Sequence, residues 1–129
     1  MLRVFRLVKI LCAAIALVGA QVAPSLAHHG WSWTADGFFQ IEGVITATYV
    51  GNPHATLDVD VEGTIWRVEL APLGPTAATG FTEDVAPPGT EVIAIGNRSA
   101  DPNETRMKAV RIIIGGQPYD LYPSRAQEL

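Results

Sequence analysis

Three features of the chain predict an all-β (mainly β) domain, a small five-stranded OB-like barrel with a short helical insertion between strands 3 and 4. Apolar and polar residues alternate with period two through most of the sequence beyond residue 38. Five such runs occur, the longest first. The third and fourth are separated by a segment rich in Pro, Gly and Thr, the place an OB barrel keeps its helix.

The first run, 39–49, sets Phe39, Ile41, Gly43, Ile45, Ala47 and Tyr49 against Gln40, Glu42, Thr46 and Thr48. That predicts a half-buried strand, and Gly43 marks a bulge or a sharp coil within it. Gly51-Asn52-Pro53 makes a turn, because Gly and Asn tolerate positive φ and Pro fixes its own. In the second strand Ala55, Leu57, Val59 and Val61 alternate with Thr56, Asp58, Asp60 and Glu62. Glu62-Gly63 predicts a tight hairpin into a third strand, with Trp66, Val68 and Leu70 inward and Arg67 and Glu69 outward. Residues 72–89 break the alternation and leave room for a short helix at 76–78 or 82–85. Strands at 91–97 and 107–114 follow, then a Gly115-Gly116 hairpin and a short edge strand, 118–122. Runs such as Val92-Ile93-Ala94-Ile95 are apolar on both faces, which suits a barrel wall covered by a helix or by the N-terminal segment. A small open β-sandwich is the alternative architecture.

Residues 1–27 read as a secretory signal peptide. Arg3, Arg6 and Lys9 are its basic region, 10–20 its apolar core, and Ser25-Leu26-Ala27 a small-x-small cleavage signature. The apolar core falls short of the roughly 20 residues of a permanent span, so no stable membrane insertion is expected after cleavage. Val18-Gly19-Ala20 is a rival cleavage signature. The expected organisation is therefore a signal peptide, a single barrel domain over 28–122, and a frayed C-terminal tail over 123–129, in a periplasmic or secreted protein. Cys12, the one cysteine, leaves with the signal. Six Lys and Arg then face 13 Asp and Glu, a formal charge of −7. On that net charge nucleic acid is not an expected partner.

Catalytic signatures are missing: no nucleophilic cysteine, no phosphate-binding Gly loop, no nucleophile elbow. Asp58 and Asp60 read as a solvated strand face rather than an acid/base pair. The chain is thus not expected to be an enzyme. Histidine placement carries the one specific idea. Cleavage after Ala27 would make His28 the N-terminal residue of His28-His29-Gly30-Trp31-Ser32-Trp33, while His54 closes the Asn52-Pro53-His54 turn. A free α-amine and Nδ1 of the same histidine form a chelate ring, and a further imidazole completes a three-nitrogen site that suits copper. The expected metal ligands are His28, His54 and, as a substitute, His29, with copper as the only cofactor; zinc and nickel stay open. The bland alternative makes the histidines incidental and the tryptophans anchors of a strap that closes the barrel bottom.

Ala27-His28-His29-Gly30-Trp31, Gly43-Val44-Ile45, Asn52-Pro53-His54-Ala55 and Trp66 through Ala71-Pro72 together resemble a family of small exported bacterial proteins of unknown function. Members begin the mature chain with His-His-Gly-Trp and carry an Asn-Pro-His turn. The resemblance spans about residues 27–122 and implies a periplasmic or secreted β domain without implying an activity. One departure is the loop after Ala71-Pro72, Leu-Gly-Pro-Thr-Ala-Ala-Thr-Gly, which lacks basic residues and so argues against an anionic ligand there.

The leading reading is a copper-holding or copper-delivering module. A metal-free ligand- or protein-binding module is the alternative, with Tyr49, Trp66 and Tyr119 lining its face. A copper oxygenase lacks any substrate-binding extension and ranks last. The partner protein and oligomeric state are not encoded in any motif.

Overall fold

The structure, a computed structural model, describes residues 30–129. Six strands form one sheet: β1 (Phe39–Tyr49), β2 (Thr56–Val61), β3 (Thr64–Glu69), β4 (Glu91–Arg98), β5 (Arg106–Ile114) and β6 (Gln117–Asp120). Helix α1 (Leu73–Ala78) and a 3₁₀ turn (Glu83–Val85) lie between β3 and β4, and α2 (Pro123–Ala126) follows β6. The strand order is β3-β2-β1-β4-β5-β6, and a parallel pairing of β3 with β5 closes the first five strands into a barrel. That is the OB topology, with the helical insertion where the sequence predicts it. Among the described residues no helix is long and apolar enough to cross a membrane.

Closure demands sharp coiling, and two glycines permit it. A Cβ on Gly43 would drive into the Asp60 carbonyl oxygen, and one on Gly96 into the Lys108 carbonyl oxygen. Each glycine lets neighbouring backbones approach more closely than any side chain allows. The register slips between Ile45 and Ala47 in β1 and between Ile95 and Gly96 in β4. The first slip leaves Thr46 without a partner and inverts the alternation beyond it. Ile41 and Ile45 are buried as expected, but Ala47 and Tyr49 face solvent, Tyr49 at 50% exposure. A one-residue shift turns every later side chain to the opposite face, and no local residue pattern announced it.

The hairpins follow the predicted turn chemistry. Glu62 and Gly63 take φ of 52° and 89°, and Gly115 and Gly116 take 57° and 79°, all in the left-handed region such two-residue turns require. The barrel interior is filled by Ile41, Ile45, Leu57, Val59, Val68, Met107 and Ile112. Phe81, from the insertion, plugs one end and meets Tyr119 edge-on at 5.5 Å. Thr76 of α1 is fully buried because its Oγ1 donates to the Ala71 carbonyl at 2.8 Å.

The C-terminal tail is not frayed. Pro123 starts α2, where a missing N–H costs nothing, and Ala126 is buried. The Leu121 N–H donates to the Val110 carbonyl at 2.9 Å, and Val110 is buried where the chain turns from β6 into α2. The edge strand also ends at Asp120 rather than at 122.

Candidate functional site

The parallel seam between β3 and β5 aligns Arg67 with Arg106 and Glu69 with Lys108, while Val68 and Met107 between them point into the core. Strand alternation thus puts four charged side chains side by side on the outside of the barrel. Residues 30–35 form a strap across part of this row. The Thr34 hydroxyl closes a turn onto the Trp31 carbonyl at 2.8 Å, and Thr34 bridges to Ser99. The Ala35 N–H donates to the Arg98 carbonyl, and the Ala100 N–H to the Trp33 carbonyl, both at 2.9 Å. Asn97 Nδ2 holds the following turn through the Ala35 and Gly37 carbonyls.

Cations fasten the strap's aromatic rings. The Arg106 guanidinium lies 3.8 Å from the Trp33 ring centre and that of Arg125 3.9 Å from Trp31. The Lys108 ammonium sits 4.8 Å from Trp31 and donates from Nζ to the Gly30 carbonyl at 2.7 Å. Tyr122 meets Trp31 edge-on at 4.9 Å. Partly desolvated cation–π contacts are worth about 1–2 kcal/mol each, enough for three to fix a six-residue segment.

Beside the strap opens a cleft of about 460 Å³, lined among others by Gly30, Trp31, Trp33, His54, Glu69 and Lys108. Glu69 is 9% exposed, and its two oxygens are divided. Oε1 accepts from Arg106 Nε at 2.8 Å and also from its Nη2; Oε2 stands 3.1 Å from His54 Nε2. His54 is held there because the turn after β1 ends at Ala55. Ala55 is itself buried and bonded to the backbone of Leu70 and Ala71. Burial pushes the Lys108 ammonium below the usual lysine range. Glu69 opposes that shift, and Arg125 and Arg106 reinforce it. Burial likewise raises the Tyr122 phenol, helped by Glu69 and opposed by Arg125.

Of the expected metal ligands, His54 lies in this cleft, whereas His28 and His29 lie outside the described residues. Among the described residues no three His, Cys, Asp or Glu side chains converge; His54 and Glu69 are a pair. Glu69, Arg106 and Lys108 escaped the sequence reading. Alternation assigned Glu69 and Arg67 alike to the outer face, and nothing in that period tells a covered outer face from a wet one. The nearest signal was Gly30-Trp31-Ser32-Trp33, two indoles one strand-period apart.

The alternative face is not assembled. Tyr49 is exposed and bonds Asn52, Trp66 packs on Phe39 at 5.2 Å, and Tyr119 packs on Phe81. Nor does the strap close the barrel bottom; it crosses the outside of the β3–β5 seam. Asp58 pairs with Arg67, and Asp60 accepts the Gly63 N–H at 2.7 Å.

No family model matches the chain, and no curated protein does. Among solved structures it is similar to the S. pombe Stn1-ten1 complex, with a TM-score of 0.50 and 20% identity over 70% of this chain. The match spans 63% of that chain's length. The shared feature is the OB barrel. This corrects the exclusion of nucleic acid: OB barrels include oligonucleotide binders, and net charge is a poor guide here. Arg106, Lys108 and Arg125, half of the cations beyond residue 27, gather around two indoles.

Proposed function

We propose that this chain is an exported OB-barrel module, periplasmic or secreted, that binds one copper ion between its processed N-terminus and His54. The α-amine and imidazole of His28 supply two nitrogens and His54 the third, with His29 as a substitute ligand. Its role is to hold or hand over the metal rather than to catalyse. The resemblance to exported His-His-Gly-Trp proteins supports the export and the processed terminus.

One observation carries the reading. Lys108 fixes the Gly30 carbonyl on the wall of the cleft into which His54 projects. Consecutive Cα atoms are 3.8 Å apart, so a terminus at His28 starts within about 8 Å of Gly30 Cα. Gly30 and His54 line the same cleft, which supports a terminal histidine as a partner for His54. Part of the cleft's positive charge is already offset, because the Arg106 guanidinium is paired with the Glu69 carboxylate.

Those same cations favour a second reading, a metal-free module taking an anionic ligand in the cleft. Titration of Cu(II) into a chain beginning at His28 separates the two. Submicromolar binding is expected, weakened at least tenfold by His54→Ala and by one extra residue ahead of His28. Absence of binding in the unaltered chain would leave the anion reading.

A further inference from the structure

We infer that the cleft takes a small carboxylic acid with an apolar body, its carboxylate seated on the Lys108 ammonium. The inference rests on the anion reading given above rather than on copper.

Lys108 is the unbalanced charge of the site. Alternation sends it to the outer face of β5, where it is nonetheless only 9% exposed. Every neighbouring element brings a charged or titratable group: Glu69 on β3, Arg106 on β5, Arg125 on α2, His54 before β2 and Tyr122 after β6. Glu69, the one carboxylate lining the cleft among the described residues, is already taken. Arg106 holds its Oε1, and His54 Nε2 stands 3.1 Å from its Oε2. Neither Lys108 nor Arg125 belongs to an ion pair among the described residues. An ammonium has three N–H donors. The Gly30 carbonyl accepts one of them at 2.7 Å and is the sole protein acceptor for Nζ among the described residues. The Trp31 ring, 4.8 Å away, offers only the diffuse attraction of a π face. A covered ammonium without a counter-ion is unfavourable, and a carboxylate supplied from outside relieves it.

The walls select the rest of the ligand. Trp31, Trp33, Leu70, Pro72 and Tyr122 line the cleft beside the charged groups, around a volume of about 460 Å³. Mostly apolar walls with a few converging polar groups are the usual make-up of a small-molecule site, and the volume lies within the common range of about 300–1,000 Å³. Phosphate suits the cleft less well. Glu69 stands fixed on the same wall and repels a second negative charge, and a bare phosphate leaves the apolar walls uncovered. A single carboxylate on an apolar body meets both the cation and the walls.

The test titrates the exported, processed protein, kept free of metal, with benzoate, inorganic phosphate and benzamide in a calorimeter. Benzoate is expected to bind with a Kd below about 1 mM, and phosphate and benzamide at least about tenfold more weakly. Lys108→Met, which keeps an apolar stem and loses the charge, should weaken benzoate at least about tenfold, the worth of one charge-assisted hydrogen bond. Should that variant melt, nuclear Overhauser contacts from the benzoate ring to Trp31, Trp33 or Tyr122 in the unaltered chain carry the same expectation. Full benzoate affinity in a folded Lys108→Met, benzamide bound as tightly as benzoate, or bound benzoate without those contacts would overturn this inference. Phosphate bound as tightly as benzoate, with both lost in Lys108→Met, would overturn the carboxylic-acid assignment and leave the anion reading standing. Binding of neither anion would overturn both.

Discussion

Two carboxylate–arginine pairs lie on the same outer face of this barrel, and they differ in nearly everything but composition. Asp58 and Arg67 face each other across β2 and β3 at 2.5 Å, with side chains 27% and 53% exposed. Glu69 and Arg106 face each other across the seam with side chains 11% and 35% exposed. Arg67 and Arg106 are register partners, so the two pairs are neighbours. The difference is the strap. Trp33 lies against the Arg106 guanidinium and Gly30 stands beside the carboxylate's cleft, while among the described residues none of the strap lines the groove at Asp58. Six residues laid over one strand junction turn an ordinary surface ion pair into a shielded site with a histidine at its rim.

The largest expected effect removes the comparison altogether. Gly96→Ala forces a Cβ into the Lys108 backbone across the β4–β5 pairing. It should cost more than about 3 kcal/mol and abolish a cooperative melt. Gly63→Ala, at an exposed turn with open space around its Cα, should cost about 1 kcal/mol by its positive φ alone. Equal melts for the two variants would mean the β4–β5 pairing is looser than described.

Next comes the shielded pair itself. Glu69→Ala leaves Arg106 and His54 without their shared carboxylate and should cost about 1–2 kcal/mol in a denaturant melt. Trp33→Ala should cost about 1–2 kcal/mol and make Glu69 respond to salt as a solvated pair does. That second result sharpens the comparison, because it converts one region into the other.

Lys108 gives the pH signature. Its folded pKa is depressed, chiefly by burial, so the unfolded chain holds the proton more tightly. In the window between the lowered folded value and the ordinary lysine range, the unfolded state binds more protons, and stability rises with pH. Wild type should therefore gain stability relative to Lys108→Met as pH climbs from neutral towards 10. A constant difference would show that the ammonium is fully hydrated. The smallest effect belongs to the open pair: Asp58→Asn should change stability by about 0–1 kcal/mol and lose even that in high salt.

Much of the barrel was legible in the residues. Period-two alternation located all five barrel strands, Glu62-Gly63 and Gly115-Gly116 announced their turns, and residues 72–89 announced the insertion. The phase inversion after Thr46 was not legible, because a bulge is chosen by barrel closure rather than by the bulged residue. Nor was α2, whose four residues carry no periodic signal and are held by Tyr122 and Val110. The site was half visible. His54 stood out by type and by its turn, but Glu69 looks like any outward strand residue until a distant segment covers it. Net charge misled for a related reason: it sums over a surface half of whose cations beyond residue 27 are gathered in one place.

The measurement that bears most directly on the copper reading is native mass spectrometry of the exported, processed protein with one equivalent of Cu(II), repeated with chelator and with His54→Ala. The expected result is a chain beginning at His28 that keeps one copper against the chelator and loses it in the variant. A chain beginning at Gln21, or a His28 chain that surrenders its copper at once, would contradict it.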